Sequence, residues 1–145
     1  MNPSPDQLKL AVYPDAVLRA KAEPVSEFDD RLAGIAQRMI AIMREEDGIG
    51  LAAPQAGVSI RMFVCDVPAH PDEQPADDGV RLATDGPLVF VNPVIDDASD
   101  SRTSLEEGCL SLPDIRGDVI RPEVVTMTAQ DLQGESFTIK AGGLL

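Results

Sequence analysis

Tryptophan is absent from these 145 residues, tyrosine occurs once and phenylalanine four times, so aromatics make up only 3% of the chain. With apolar residues at 43%, any core must be built from aliphatic side chains. Positive charge is scarce as well: 12 Lys and Arg stand against 25 Asp and Glu, a formal net charge of −13. That balance excludes the clustered basic surface that holds a phosphate backbone, and it gives no attraction to anionic membranes. Neither a direct nucleic-acid partner nor a membrane is expected. Histidine occurs once, at His70. Cysteine occurs twice, at Cys65 and Cys109, with no CxxC and no disulfide framework, which fits a reducing, cytoplasmic setting. The first ten residues lack an apolar h-region, so no signal peptide is expected, and no apolar run is long enough to span a bilayer.

What is present reads as one domain over residues 1–145. Residues 1–7 read as a tail. Residues 13–19 suit a short helix with Pro14 in its first turn, and Ser26 is a candidate N-cap for a second, longer one. Residues 28–46 carry the clearest helical signal: Leu32, Ile35, Ala36, Met39, Ile40 and Met43 recur at spacings of three and four on one face. Gly48 stands where a terminating glycine is common. Residues 60–67 and 88–95 read as strands, with Pro93 marking an edge or a bulge. Between them, residues 69–87 hold Asp72, Glu73, Asp77, Asp78 and Asp85 among Pro and Gly, the pattern of an exposed loop. Residues 96–103 read as a second polar loop. Strand patterns return at 119–120 and 124–129, and residues 136–140 pair with the latter as a hairpin across Gln133-Gly134. One long N-terminal helix followed by short, mostly antiparallel strands is an α+β arrangement. Residues 141–145 read as an abrupt end, with Leu144 and Leu145 as the opening of a further apolar segment.

Two stretches carry chemistry. The first is Gly48-Ile49-Gly50-Leu51-Ala52-Ala53-Pro54-Gln55. Two glycines alone suit a helix end and a tight turn, but a glutamine after an apolar run needs partners for its amide. The second is Glu106-Glu107-Gly108-Cys109-Leu110-Ser111. Cys109 could be a metal ligand, a nucleophile or a small buried hydrophobe; Cys65, in mid-strand, suits only the last. His70 stands alone in the acidic loop, and nothing in its spacing pairs it with Cys109.

Together the two stretches resemble the peptide deformylase family, metallohydrolases that remove the formyl group from the N-terminal methionine of nascent polypeptides. The resemblance runs over nearly the whole chain and implies several roles. The Gln55 amide and the Leu110 backbone N–H would stabilise the oxyanion as the formyl carbon becomes tetrahedral. Ile49, Gly50 and Leu51 would line the substrate channel and pair with an extended peptide as an added strand. Arg116 matches an arginine near the peptide groove. Cys109 would be a thiolate ligand to a divalent metal, Fe2+ or another such as Zn2+. Glu107 and Ser111 would hold the loop that carries it. The implied partners are formyl-methionyl peptides or nascent chains near the ribosome.

The family's third motif, H-E-x-x-H, supplies two histidine ligands and a general base from one helix face. It does not occur in these residues. The expectation is therefore a C-terminally truncated deformylase domain that lacks its metal-binding helix, binds no ion tightly and is inactive alone. Alternatives are a non-catalytic peptide-binding remnant or a truncated product without function. A missing helix would also uncover one wall of the core, leaving aliphatic side chains of the long helix and of both strands facing water.

Overall fold

The computed structural model describes residues 3–74 and 79–145; Asp77 and Asp78 of the acidic loop, and the first two residues of the tail, lie outside them. One α-helix, α1 (Asp30–Glu45), packs on a five-stranded antiparallel sheet of β1 (Gly50–Ala52), β2 (Met62–Cys65), β3 (Leu88–Ala98), β6 (Val124–Gln130) and β7 (Ser136–Gly142), in the order β1-β2-β3-β6-β7. A second, two-stranded sheet is the hairpin of β4 (Arg102–Cys109) and β5 (Leu112–Pro122). The α+β, antiparallel expectation holds. Short 3-10 turns cover Pro5–Gln7, Ala16–Leu18 and Ala53–Ala56. No helix among the described residues is long and apolar enough to cross a membrane.

The start of α1 differs from expectation. Its N-cap is Asp29, not Ser26: the backbone there is extended and the carboxylate accepts the Leu32 N–H at 2.9 Å. It ends at Glu45, and its left-handed capping position falls one residue before Gly48. Asp47 takes the left-handed conformation (φ 55), and Gly48 N–H returns to Met43 C=O at 2.8 Å, closing the helix in a Schellman arrangement. Gly48 is needed for another reason: a Cβ there would stand 2.7 Å from Leu110 Cδ1. The predicted helix at 13–19 shrinks to the turn Ala16–Leu18, capped by the Asp15 side chain instead of led by Pro14.

The helix face is covered, contrary to the expectation of an open wall. Leu32, Ile35, Ala36, Met39 and Met43 are at most 4% exposed, packed with Leu51, Val58, Met62, Val64 and Val91. Ile42, absent from the predicted stripe, is buried as well, whereas Ile40 is only partly so. A second cluster joins Cys65, Val67, Phe90, Ala129 and Ile139, with Phe63 stacked on Phe90 at 4.5 Å between ring centroids. The large apolar side chains left in water on the predicted strands are Val94, Ile95 and Ile120.

Pro93 marks a bulge, as one of its two readings had it, but β3 is the middle strand and not an edge. The ladder to β6 slips between Val91 and Val94. There Asn92 turns left-handed (φ 50), and its amide brackets Val25, accepting from the Val25 N–H and donating to the Val25 C=O. The strands also run further than predicted. Residues 96–98 belong to β3 and 102–103 to β4, so the loop expected over 96–103 is a tight link. Part of the acidic loop is pinned: Val80 is buried, and Arg81 bonds through its backbone to Lys140 and Gly142. Ala141 and Gly142 finish β7.

Candidate active site

The two motifs meet where the sheet's outer strand faces the tip of the hairpin. Gln55 sits in the 3-10 turn that follows β1, and Ala52 N–H donates to its Oε1 at 2.9 Å. That bond fixes which end of the amide faces which way. The Nε2 end must point at the hairpin, where it donates to Cys109 Sγ and to Ser111 Oγ, each at 3.3 Å. Cys109 ends β4 with its thiol exposed, and Leu110-Ser111 form the turn into β5. Ser111, 3% exposed, is the one buried polar residue among those described. Its placement explains the serine: a hydroxyl can face the Gln55 amide without an unmet donor. Leu110 packs its side chain on the main core over Gly48. Its backbone N–H has no hydrogen bond to the described residues.

β1 is the terminal strand of its sheet. Asp66 N–H bonds Ile49 C=O at 2.9 Å, so by the alternation of an antiparallel ladder the next inward residue is Leu51, and Gly50 turns its N–H and C=O outward. Ile49 is exposed beside this free edge. Leu51 departs from its expected place: its side chain is 2% exposed and belongs to the core, so it does not line the channel. Arg116 stands opposite Gly108 in the hairpin, where a Cβ on the glycine would touch its stem at 3.5 Å. Residues 113–115 bulge out of β5 beside it, with Asp114 left-handed (φ 62).

Glu107 lies in a strand and not in a loop. Its carboxylate takes two hydrogen bonds from Arg121 on β5, one of them from Nη2 at 2.7 Å, and this pairing holds its pKa below the usual carboxylate range. Sequence patterns do not point to Arg121. Nor do they point to Ala11 and Tyr13, whose backbone N–H groups donate to Gln55 C=O and Ser111 C=O. A main-chain donor carries no sequence signal.

A family model described as polypeptide deformylase matches residues 7–145. The chain belongs to the peptide deformylase family. It is 42% identical over 138 residues to a peptide deformylase of Thermosynechococcus vestitus, covering 95% of this chain and 68% of that protein. It is 37% identical to peptide deformylase 1B, chloroplastic/mitochondrial, of Arabidopsis thaliana, and spans 46% of that protein's length. The crystal structure of the Ehrlichia chaffeensis peptide deformylase superposes with a TM-score of 0.89 at 33% identity, over 95% of this chain and 76% of that one.

Peptide deformylases work with a divalent metal ion. Cys109 carries a free, exposed thiol, but no group of three or more His, Cys, Asp or Glu among the described residues could hold an ion. Glu107 is committed to Arg121, and His70 Nδ1 accepts from Asp72 N–H in its own loop. The described residues do not by themselves make a metal centre.

Proposed function

We propose that the complete protein removes the N-formyl group from formyl-methionyl peptides, and that these 145 residues are its peptide-binding and oxyanion-stabilising part. The observation that carries this reading is the Gln55 amide, locked through Oε1 so that its Nε2 faces Cys109 Sγ at 3.3 Å. An extended peptide would add to the sheet along the open edge of β1, exchanging hydrogen bonds with Gly50 while Ile49 lies against its first side chain. The formyl oxygen would then accept from Gln55 Nε2 and from the unengaged Leu110 N–H as charge develops on it. Ser111 and Cys109 hold the amide until the substrate displaces them. Arg116, beside the groove, would meet the peptide further along. Cys109 would serve as one ligand of the divalent metal, iron or zinc, with its other ligands outside the set described.

On this reading the 145 residues alone bind formylated peptides without hydrolysing them. The natural partners are nascent chains near the ribosome, in the reducing cytoplasm that two free cysteines suit. Titrating a formyl-methionyl tripeptide into the 15N-labelled chain should move the Gly50 amide and the Gln55 side-chain amide together, with no formate released. An unmoved Gly50 would remove the binding reading, and formate release above the buffer rate would remove the claim of inactivity.

A further inference from the structure

The candidate site is split between two sheets that share no ladder among the described residues. Gln55 belongs to the end of the five-stranded sheet, and Cys109, Leu110 and Ser111 to the tip of the separate hairpin. Something other than sheet pairing must therefore set the spacing between them. The Gln55 contacts with Cys109 and Ser111 are poor candidates, because the proposed chemistry requires that amide to let go of them. Leu110 over Gly48 fixes one side chain and not the main chain. One short segment reaches both halves. Ala11 N–H donates to Gln55 C=O at 2.7 Å, and two residues on Tyr13 N–H donates to Ser111 C=O at 2.9 Å. The segment is itself anchored: Leu8 and Ala11 are 2% and 7% exposed, and Leu10 packs on the main core.

We propose that residues 11–13 form a main-chain strap that sets the position of the Gln55 amide relative to the Cys109–Ser111 turn, so that Ala11 and Tyr13 are positioning residues of the site. The strap uses only backbone groups, which is why it is compatible with any side chain at 11 and 13 that packs. Its catalytic importance rests on the proposed oxyanion role of Gln55, since small misplacements of a catalytic group cost large factors in rate. Its existence does not rest on that role.

The test removes the Tyr13 N–H, at the cost of a weaker acceptor at the Val12 carbonyl, which receives the Asp15 N–H at 3.0 Å. Incorporating the α-hydroxy analogue of tyrosine at position 13 of the 145-residue chain replaces that amide with an ester. The readout is the rate at which iodoacetamide alkylates Cys109 at fixed pH, with Cys65 as an internal control. The ester should change the Cys109 rate about threefold or more, in the same direction as Gln55→Ala, and should add nothing in the chain that carries both changes, because coupled sites are non-additive. Cys65 should stay slow. An unchanged Cys109 rate, effects that multiply in full, or a matching rise at Cys65 would each overturn the strap. If the ester at 13 prevents folding, an ester at Ala11 takes its place and must give the same pattern. No formyl peptide enters the measurement, so a negative result here leaves the proposed activity standing.

Discussion

Substituting Gln55 by alanine and by glutamate separates its two jobs. Its Oε1 accepts the Ala52 N–H, and its Nε2 donates towards the hairpin turn. Gln55→Ala removes both. It strands the half-buried Ala52 N–H and takes from the buried Ser111 hydroxyl its only side-chain partner among the described residues. One unmet buried donor costs about 1–3 kcal/mol, and that sets the expected loss of stability. Gln55→Glu keeps an oxygen for Ala52 and gives the Ser111 hydroxyl a carboxylate to donate to. Its stability loss should be clearly smaller, under about 1 kcal/mol on the same scale. Catalysis should rank the two the other way. In the complete, metal-loaded enzyme each loses one oxyanion donor, about 10²–10³ in turnover. Glutamate should be the worse, because it sets a negative charge where negative charge must develop. Urea unfolding of the chain and turnover on a formyl-methionyl peptide measure the two effects. A glutamate variant as unstable as alanine would refute the locked-amide geometry. Turnover close to wild type in either variant would refute the donor role.

Four further outcomes rest on particular residues. At pH 8 one thiol, Cys109, should react with iodoacetamide, while Cys65 should not until the chain unfolds, because burial and, secondarily, Asp66 raise its pKa from 9.0 to about 11; mass spectrometry counts the adducts. The same shift has a sign for stability: the folded state keeps the Cys65 proton that the unfolded chain gives up, so this contribution is full below pH ~9 and is lost as pH rises towards ~11, visible as a falling melting temperature over that range that Cys65→Ala abolishes. Asn92→Ala should cost about 2–4 kcal/mol, since it removes two hydrogen bonds to Val25 and one to Gln130 from a left-handed bulge position, measured by chemical denaturation. Arg121→Ala should cost under about 1 kcal/mol, because the Glu107 pair is largely exposed; a loss of several kcal/mol would mean that the bridge holds the hairpin up.

The long helix was legible because an aliphatic core leaves a clean period: five of the six predicted positions are buried. Its ends were not. Ser26, Asp29 and Asp30 all suit an N-cap, and only the extended backbone at Asp29 decides between them. Pro93 announced a break in the ladder but not that the strand carrying it is central, because neighbours in a sheet are a tertiary fact. Residues 102–103 read as loop and 106–109 as motif because the polar run Arg102-Thr103-Ser104 and the pair Glu106-Glu107 show no alternation in the sequence; the alternation of the hairpin appears only in which side chains are exposed. In the site, Gln55, Cys109 and Ser111 were readable from their motifs and do come together. Leu51 was not separable from its neighbours, since which residue of a strand faces inward depends on register. The main-chain donors of residues 11 and 13 could not be read at all.

The hairpin of β4 and β5 is tied to the body at its base, where it runs into β3 and β6, and at its tip, and hardly at all in between. Such an arm can open as a cooperative unit while the helix and the large sheet stay intact, at a free energy below that of global unfolding. Its amides should then exchange with deuterium well before those of β2 and β3. Each opening would carry Cys109 and Leu110 away from Gln55 and close again without disturbing the core. The site would thus be assembled and dismantled many times within the lifetime of one folded molecule, and a peptide bound across both halves would slow that exchange by stitching the arm to the sheet.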